Sequence, residues 1–364
     1  MRRKIALAAV WTGSFLLALV LMEGFVRFYF EPPSGTPLIL VDREAPYVFA
    51  LNPEHSEISS QGLRDREFKL PKPSGVKRIL VLGDSIAYGL FVAAEQTFSK
   101  KLEKNLNREG KTVEVVNTGV NGYTTYNEVE FFKAEGKKFE AEDVVLVFCM
   151  NDIVNPVLHW GDDEGFFKNL PVAAFPRYEE HVRSVMPGVY GEVSPIENAL
   201  RRSALYRLFR RMQRLWNLRS VRYEKRDGQN WPVYVSDEDP VTIRTLQDPD
   251  SPETRWLFGL FRELQKSAAE NGARLHILFV PLAYQMEQGY PFSPQKNLME
   301  KCAAEGLDCL DPLETFKRNG GKKLFLGSHR YHPRDIWHLS PEGHRVMADF
   351  LAAEFVNPAE KGMR

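Results

Sequence analysis

Ser85 closes an apolar run, Arg78-Ile79-Leu80-Val81-Leu82-Gly83-Asp84-Ser85, and far downstream Asp335 and His338 stand three residues apart. A serine hydroxyl accepts an acyl group when an imidazole takes its proton and a carboxylate orients the imidazole and stabilises its charge. The spacing of Asp335 and His338 lets them meet across one tight turn of a late loop, which would supply that base and carboxylate. Taken alone, Gly83-Asp84-Ser85 reads equally well as a turn after a strand. Two other stretches hold donors suited to a developing oxyanion. Asn117-Thr118-Gly119-Val120-Asn121-Gly122 is a loop whose glycines let backbone N–H groups approach a ligand, and Met150-Asn151-Asp152 offers the Asn151 amide. His329, His332 and His344 compete with His338 for the role of base. A histidine-rich tract can also bind zinc, but no cluster of strand-end carboxylates or thiolates accompanies it, so the sequence implies neither metal nor cofactor.

Periodicity defines the elements that must bring these groups together. Arg78 to Leu82 is a short continuous apolar run, as in a strand buried on both faces, and Val113 to Val116, Val144 to Phe148 and Leu275 to Val280 read alike. Phe98, Leu102 and Leu106 recur every four residues, as do Trp256, Leu260 and Leu264, and Val129 with Phe132 marks a further helical face. A short helix near 294–304 and a short strand near 307–310 follow. The last helix begins with Ser340 as N-cap and Pro341 in the first position, with Val346, Phe350 and Leu351 facing inward. This alternation predicts an α/β fold, a three-layer α/β/α sandwich on a parallel sheet of about five strands, with ligands at the strands' carboxyl ends.

Val81-Leu82-Gly83-Asp84-Ser85, Asn117 to Gly122, Met150-Asn151-Asp152 and Asp335-Ile336-Trp337-His338 resemble, in order and spacing, the first, second, third and fifth blocks of the SGNH/GDSL hydrolase superfamily. The likeness covers residues 77–155 and about 251–355, and is to the bacterial, membrane-anchored type with a large insertion. It implies a flavodoxin-like fold and a triad of Ser85, His338 and Asp335. It also implies an oxyanion hole made by the backbone N–H groups of Ser85 and Gly122 and the side chain of Asn151. The implied activity is a serine esterase acting on an acyl ester, O-acetyl included, of a carbohydrate or lipid. The same residues would serve an O-acyltransferase to an envelope or extracellular glycan, and the same fold an inactive binding or scaffold protein. One departure stands out: Cys149 occupies a position where the family usually has glycine.

The remaining sequence concerns location and accessory structure. Of 364 residues 43% are hydrophobic, which excludes disordered, collagen-like and disulfide-scaffold classes, and 48 basic against 48 acidic residues give no global attraction to nucleic acid. Arg2, Arg3 and Lys4 precede the uncharged stretch Ile5 to Met22, and Glu23, Arg27, Phe28, Tyr29 and Phe30 follow it. We read residues 1–30 as an uncleaved single-pass anchor in the inner or cytoplasmic membrane, with the body extracytoplasmic; a cleaved signal peptide is the other reading. Proline-rich residues 31–74 form a lead-in, 75–155 and 251–357 the two parts of the core, 156–250 a mainly helical insertion and 358–364 a tail. In the insertion, one helix is predicted from about Ile196 to Tyr223. Leu200, Ala204, Leu205, Leu208, Met212, Leu215 and Trp216 lie on one face of it, and Arg201, Arg202, Arg207, Arg210, Arg211 and Arg214 elsewhere. The expectation is an apolar stripe packed on the core; the alternative is a helix lying on anionic headgroups or an acidic polymer. Cys302 and Cys309 either pair across the turn at Glu305-Gly306 or stay as buried thiols, while Cys149 packs in a strand. The partners foreseen are thus an acylated substrate and the membrane.

Overall fold

Strands that are apolar at every position need cover on both faces, and the computed structural model of the chain provides it. It describes residues 2–30, 36–41, 45–107, 112–153, 195–200, 202–219, 221–226, 229–234, 246, 248–290, 293–329 and 332–356. The chain starts with α1 (Arg2–Phe30) and an antiparallel pair, β1 (Ile39–Val41) and β2 (Phe49–Leu51). Then come β3 (Lys77–Gly83), α2 (Ser85–Tyr88), α3 (Phe98–Leu106), β4 (Val113–Asn117), α4 (Thr125–Ala134) and β5 (Asp143–Phe148). The insertion holds α5 (Pro195–Leu200), α6 (Ala204–Arg219) and a hairpin of β6 (Val221–Arg226) and β7 (Gln229–Tyr234). After it follow α7 (Pro252–Glu270), β8 (Arg274–Phe279), α8 (Gln295–Glu305), β9 (Cys309–Leu310) and α9 (Leu313–Arg318). A second antiparallel hairpin, β10 (Phe325–His329) and β11 (His332–Leu339), leads into α10 (Pro341–Val356).

Five parallel strands form the central sheet in the order β4-β3-β5-β8-β9. Arg78 to Gly83 and all of β5 are buried, so neither strand keeps a wet face. α3 packs with α10, and α4 with α7, giving the helical cover. The predicted repeats supply part of the contact: Phe98, Leu102 and Leu106 are buried on α3, and Leu260 and Leu264 on α7, where Trp256 is half-buried and the unpredicted Leu257 and Phe261 are fully buried. Ser340 caps α10, its hydroxyl accepting the Gly343 N–H at 3.2 Å. From β3 the chain crosses one way to β4 and returns past β3 to β5. The carboxyl ends of these three strands therefore open at a topological switch point, where a doubly wound sheet places its ligand.

Three expectations need correction. The lead-in is part of the core: Phe49, Leu51, Leu63 and Phe68 are buried in it, and the Tyr123 hydroxyl donates to the Phe49 carbonyl at 2.6 Å. Phe49 and Leu51 reach inward from a three-residue strand and Leu63 and Phe68 from irregular chain, too short a pattern for a sustained periodicity. The insertion helix is not continuous. It breaks between Leu200 and Ala204, where the Ser203 hydroxyl accepts the Tyr206 N–H, and gives way at Val221 to a hairpin that a mainly helical insertion did not foresee. Nor does its apolar stripe pack inward along its whole length. Ala204 is buried and Leu205 and Leu208 are half-buried, but Leu200, Met212 and Trp216 are exposed, together with Phe209. Cys302 and Cys309 do pair, with Cα atoms 6.1 Å apart, and Cys149 is buried at the end of β5. The far end of α1 is tied to the insertion: Val26 is buried, and Glu23 accepts hydrogen bonds from Ser203, Ala204 and Leu205.

Candidate active site

Ser85 is the first residue of α2, placed directly after β3 at the sheet's carboxyl edge. Asp84 caps that helix, accepting the Ile86 N–H at 2.8 Å, so the hydroxyl of Ser85 is held at the turn. His338 reaches it from β11, with Nε2 2.9 Å from the Ser85 Oγ. Asp335 Oδ2 lies 2.6 Å from His338 Nδ1, and its Oδ1 accepts the N–H groups of Trp337 and His338 at 3.0 and 2.9 Å. With Nδ1–H donated to Asp335, Nε2 turns its lone pair toward the serine hydroxyl. The two residues sit on a strand rather than in the late loop the sequence suggested. Residues three apart on a regular strand point to opposite faces. The ladder between β10 and β11 shifts register on both sides of the Gly327–Asp335 pair, and this irregularity lets Asp335 and His338 meet.

The loop after β4 is locked against α2. Asn117 donates from Nδ2 to the Ala87 carbonyl at 2.7 Å and accepts the Gly119 N–H at 3.0 Å. A Cβ on Gly119 would lie 2.3 Å from the Tyr88 nitrogen, so only glycine allows this approach. Gly122 takes φ +89°, a backbone conformation costly for other residues, in the turn that follows. Asn151 belongs to the single 3-10 turn Met150–Ile153 after β5; its side chain lies outside the described residues. Cys149, in the place of the usual glycine, donates its N–H to Asp152 Oδ2 at 2.6 Å, so the turn is closed by its own aspartate.

Of the competing histidines, His344 is a core residue. It stacks on Phe98, accepts the Phe98 N–H at Nδ1, and burial pushes its pKa down to about 3. His329 and His332 pair through the backbone of the β10–β11 hairpin, and their side chains lie outside the described residues. Among the described residues no three His, Cys, Asp or Glu side chains form a metal-binding group.

Several residues at the site went unread in the sequence. Phe91 presents its ring edge-on to the His338 imidazole, centroids 5.4 Å apart, and is 42% exposed there, with its backbone at φ +68°. A bulky residue in that region is uncommon and marks a loop held by its surroundings. Arg64 of the lead-in does the holding, donating to the carbonyls of Tyr88, Gly89 and Val92. Behind the site Asp84, Glu128 and Asp152 are all buried. Burial raises the pKa of each, and mutual repulsion adds to it for Glu128 and Asp152, which are pushed well above the usual carboxylate range. Nothing in residue type or spacing distinguishes Glu128 from a solvated helix glutamate.

The sequence profile of the GDSL-like Lipase/Acylhydrolase family matches residues 81–346. Among solved structures, the chain is similar to a lipase/acylhydrolase from Enterococcus faecalis, at 14% identity over 78% of this chain and 96% of that one, TM-score 0.39. A member of the lipolytic protein G-D-S-L family from Veillonella parvula gives 12%, 77%, 98% and 0.39. An acetyl xylan esterase, AlAXEase, gives 11%, 76%, 98% and 0.40. No curated protein matches the chain significantly.

Proposed function

Because the chain belongs to the GDSL-like lipase/acylhydrolase family, we propose that it is a membrane-tethered serine esterase that hydrolyses an acyl ester of a carbohydrate or lipid. The relay from Asp335 through His338 to Ser85, at 2.6 and 2.9 Å, carries this reading. His338 takes the hydroxyl proton as Ser85 Oγ attacks the ester carbonyl, and Asp335 offsets the charge on the ring. The backbone N–H groups of Ser85 and Gly122 and the amide of Asn151 receive the oxyanion. The ester C–O bond then breaks, His338 protonates the leaving alcohol, and water, deprotonated by the same ring, releases the acid from Ser85.

Retention of the anchor and an extracytoplasmic body belong to the same proposal. Support comes from the basic residues before the apolar stretch, from the hydrogen bonds that Glu23 makes to the insertion, and from the Cys302–Cys309 disulfide, a bond favoured in oxidising compartments. An organophosphonate probe should label the intact protein and leave Ser85→Ala unlabelled; an unlabelled parent would sink the esterase assignment. Supplying an O-acetyl sugar with a second sugar separates hydrolysis from transfer, by whether acetate or a new ester accumulates.

A further inference from the structure

Large apolar side chains exposed to solvent are concentrated in two places. Outside α1, eight are exposed among the described residues. Five of these, Ile196, Leu200, Phe209, Met212 and Trp216, lie on α5 and α6, and a sixth is Phe91 at the catalytic imidazole. At 100° per residue Phe209, Met212 and Trp216 fall within one narrow arc of α6, while Arg207 and Arg210 fall well away from it and are half-buried. An amphipathic helix whose apolar arc faces away from its own protein suits the boundary between headgroups and acyl chains.

The anchor fixes where that boundary is. Ile5 to Met22 is free of charge and spans about 27 Å as a helix, close to the hydrocarbon thickness of a bilayer. The next residue, Glu23, marks the exit. Glu23 accepts the N–H groups of Ala204 and Leu205 at 2.8 and 3.1 Å and the Ser203 hydroxyl at 2.8 Å, and Arg27 donates to the Arg202 carbonyl at 2.7 Å. The first turn of α6 is thereby pinned at the level where α1 leaves the membrane. α6 also packs against β11, the strand that carries Asp335 and His338.

We propose that α6 lies on the membrane surface with Phe209, Met212 and Trp216 among the lipid chains, and that it thereby sets the catalytic hairpin beside the bilayer. The ester taken is then one carried by a membrane lipid, a conclusion that rests on the esterase assignment above.

The test uses the full chain in vesicles of phosphatidylcholine and phosphatidylglycerol. Met212→Cys carries an environment-sensitive fluorophore; Cys149 is buried and the other two cysteines are bonded to each other. Quenching by lipid-borne nitroxide and protection from aqueous iodide is the expected result. Quenching by iodide, or protection from both quenchers because a second copy or another protein covers the arc, overturns the placement. A variant with Phe209→Ser, Met212→Ser and Trp216→Ser supplies the second readout. Its turnover of a fluorogenic phospholipid in vesicles should fall about tenfold as the arc loses its lipid contacts, with turnover of a dissolved short-chain ester unchanged. Equal turnover of the vesicle ester by parent and variant refutes the lipid assignment. A parent inactive on both esters refutes the esterase assignment instead, while the fluorophore still reports where α6 lies.

Discussion

Both carboxylate oxygens of Asp335 are engaged, Oδ2 with the imidazole and Oδ1 with the backbone N–H groups of the two residues that follow Ile336. Asp335→Asn keeps the shape but presents an amide to Nδ1, favouring the wrong tautomer, and should lower kcat by about 10³–10⁴-fold with little change in KM. A steady-state assay on a dissolved ester checks this. Glu128 offers the opposite case, a carboxyl buried with no hydrogen-bond partner for either oxygen among the described residues. Its pKa is raised in the folded chain, so the native state binds the proton more tightly than the unfolded one, and stability falls as pH climbs above the ordinary value of 4.5. Glu128→Gln cannot ionise. Calorimetry should find the variant equal to the parent near pH 4 and higher in Tm by about 2 °C or more at pH 8, the shift that ~1 kcal/mol produces in a large domain.

Among the elements, the strands fell where continuous apolar runs put them, because a strand covered on both faces is apolar at nearly every position. Polar residues enter these strands near their amino ends, in a second Asp–His arrangement. His276 lies between Asp308, at 2.6 Å, and Asp143, at 2.9 Å, and Asp143 begins β5, at the edge of the sheet opposite Ser85. Burial opposes charge on His276, but the hydrogen bonds to Asp143 and Asp308 outweigh it and raise the pKa. Asp143 is likewise disfavoured by burial, yet His276 and Lys77 bring it down to about 2. A raised histidine stabilises below its unfolded pKa and loses that contribution as pH rises through the folded value; the lowered aspartate loses its own as pH falls from 3.8 toward 2. His276→Gln should therefore destabilise by about 2 kcal/mol at pH 6 and by less at pH 9, with kcat unchanged. Denaturant unfolding at the two pH values checks it. The hairpin of β10 and β11 was harder to foresee, because the irregular ladder that joins Asp335 to His338 depends on a partner strand.

Over the whole molecule, the lead-in and the disulfide show how stability is distributed around the sheet. Cys302 and Cys309 are seven residues apart, and closing so short a loop stabilises by about 2.5 kcal/mol in the chain-entropy account. Replacing both with serine should lower Tm by the corresponding amount and leave kcat near the parent's, as thermal melts and ester assays would show. Chains that begin after the lead-in should fail to fold, since Phe49, Leu51, Leu63 and Phe68 fill the same core as the sheet. Expression of residues 75–364 as a soluble protein would contradict this.

The order of apolar runs and helical repeats was sufficient to predict a doubly wound parallel sheet, since burial on two faces and burial on one leave different periods in a sequence. The motif blocks likewise singled out Ser85, Asp335 and His338, because their residue types and order are set by chemistry that few other arrangements share. Tertiary structure alone decided that Phe91 and Arg64 border the site, that Glu128 is buried beneath it, and that the apolar arc of α6 faces outward beside α1. Each of these depends on which distant surface meets a side chain, and a local pattern records the period of burial but not the neighbour that causes it.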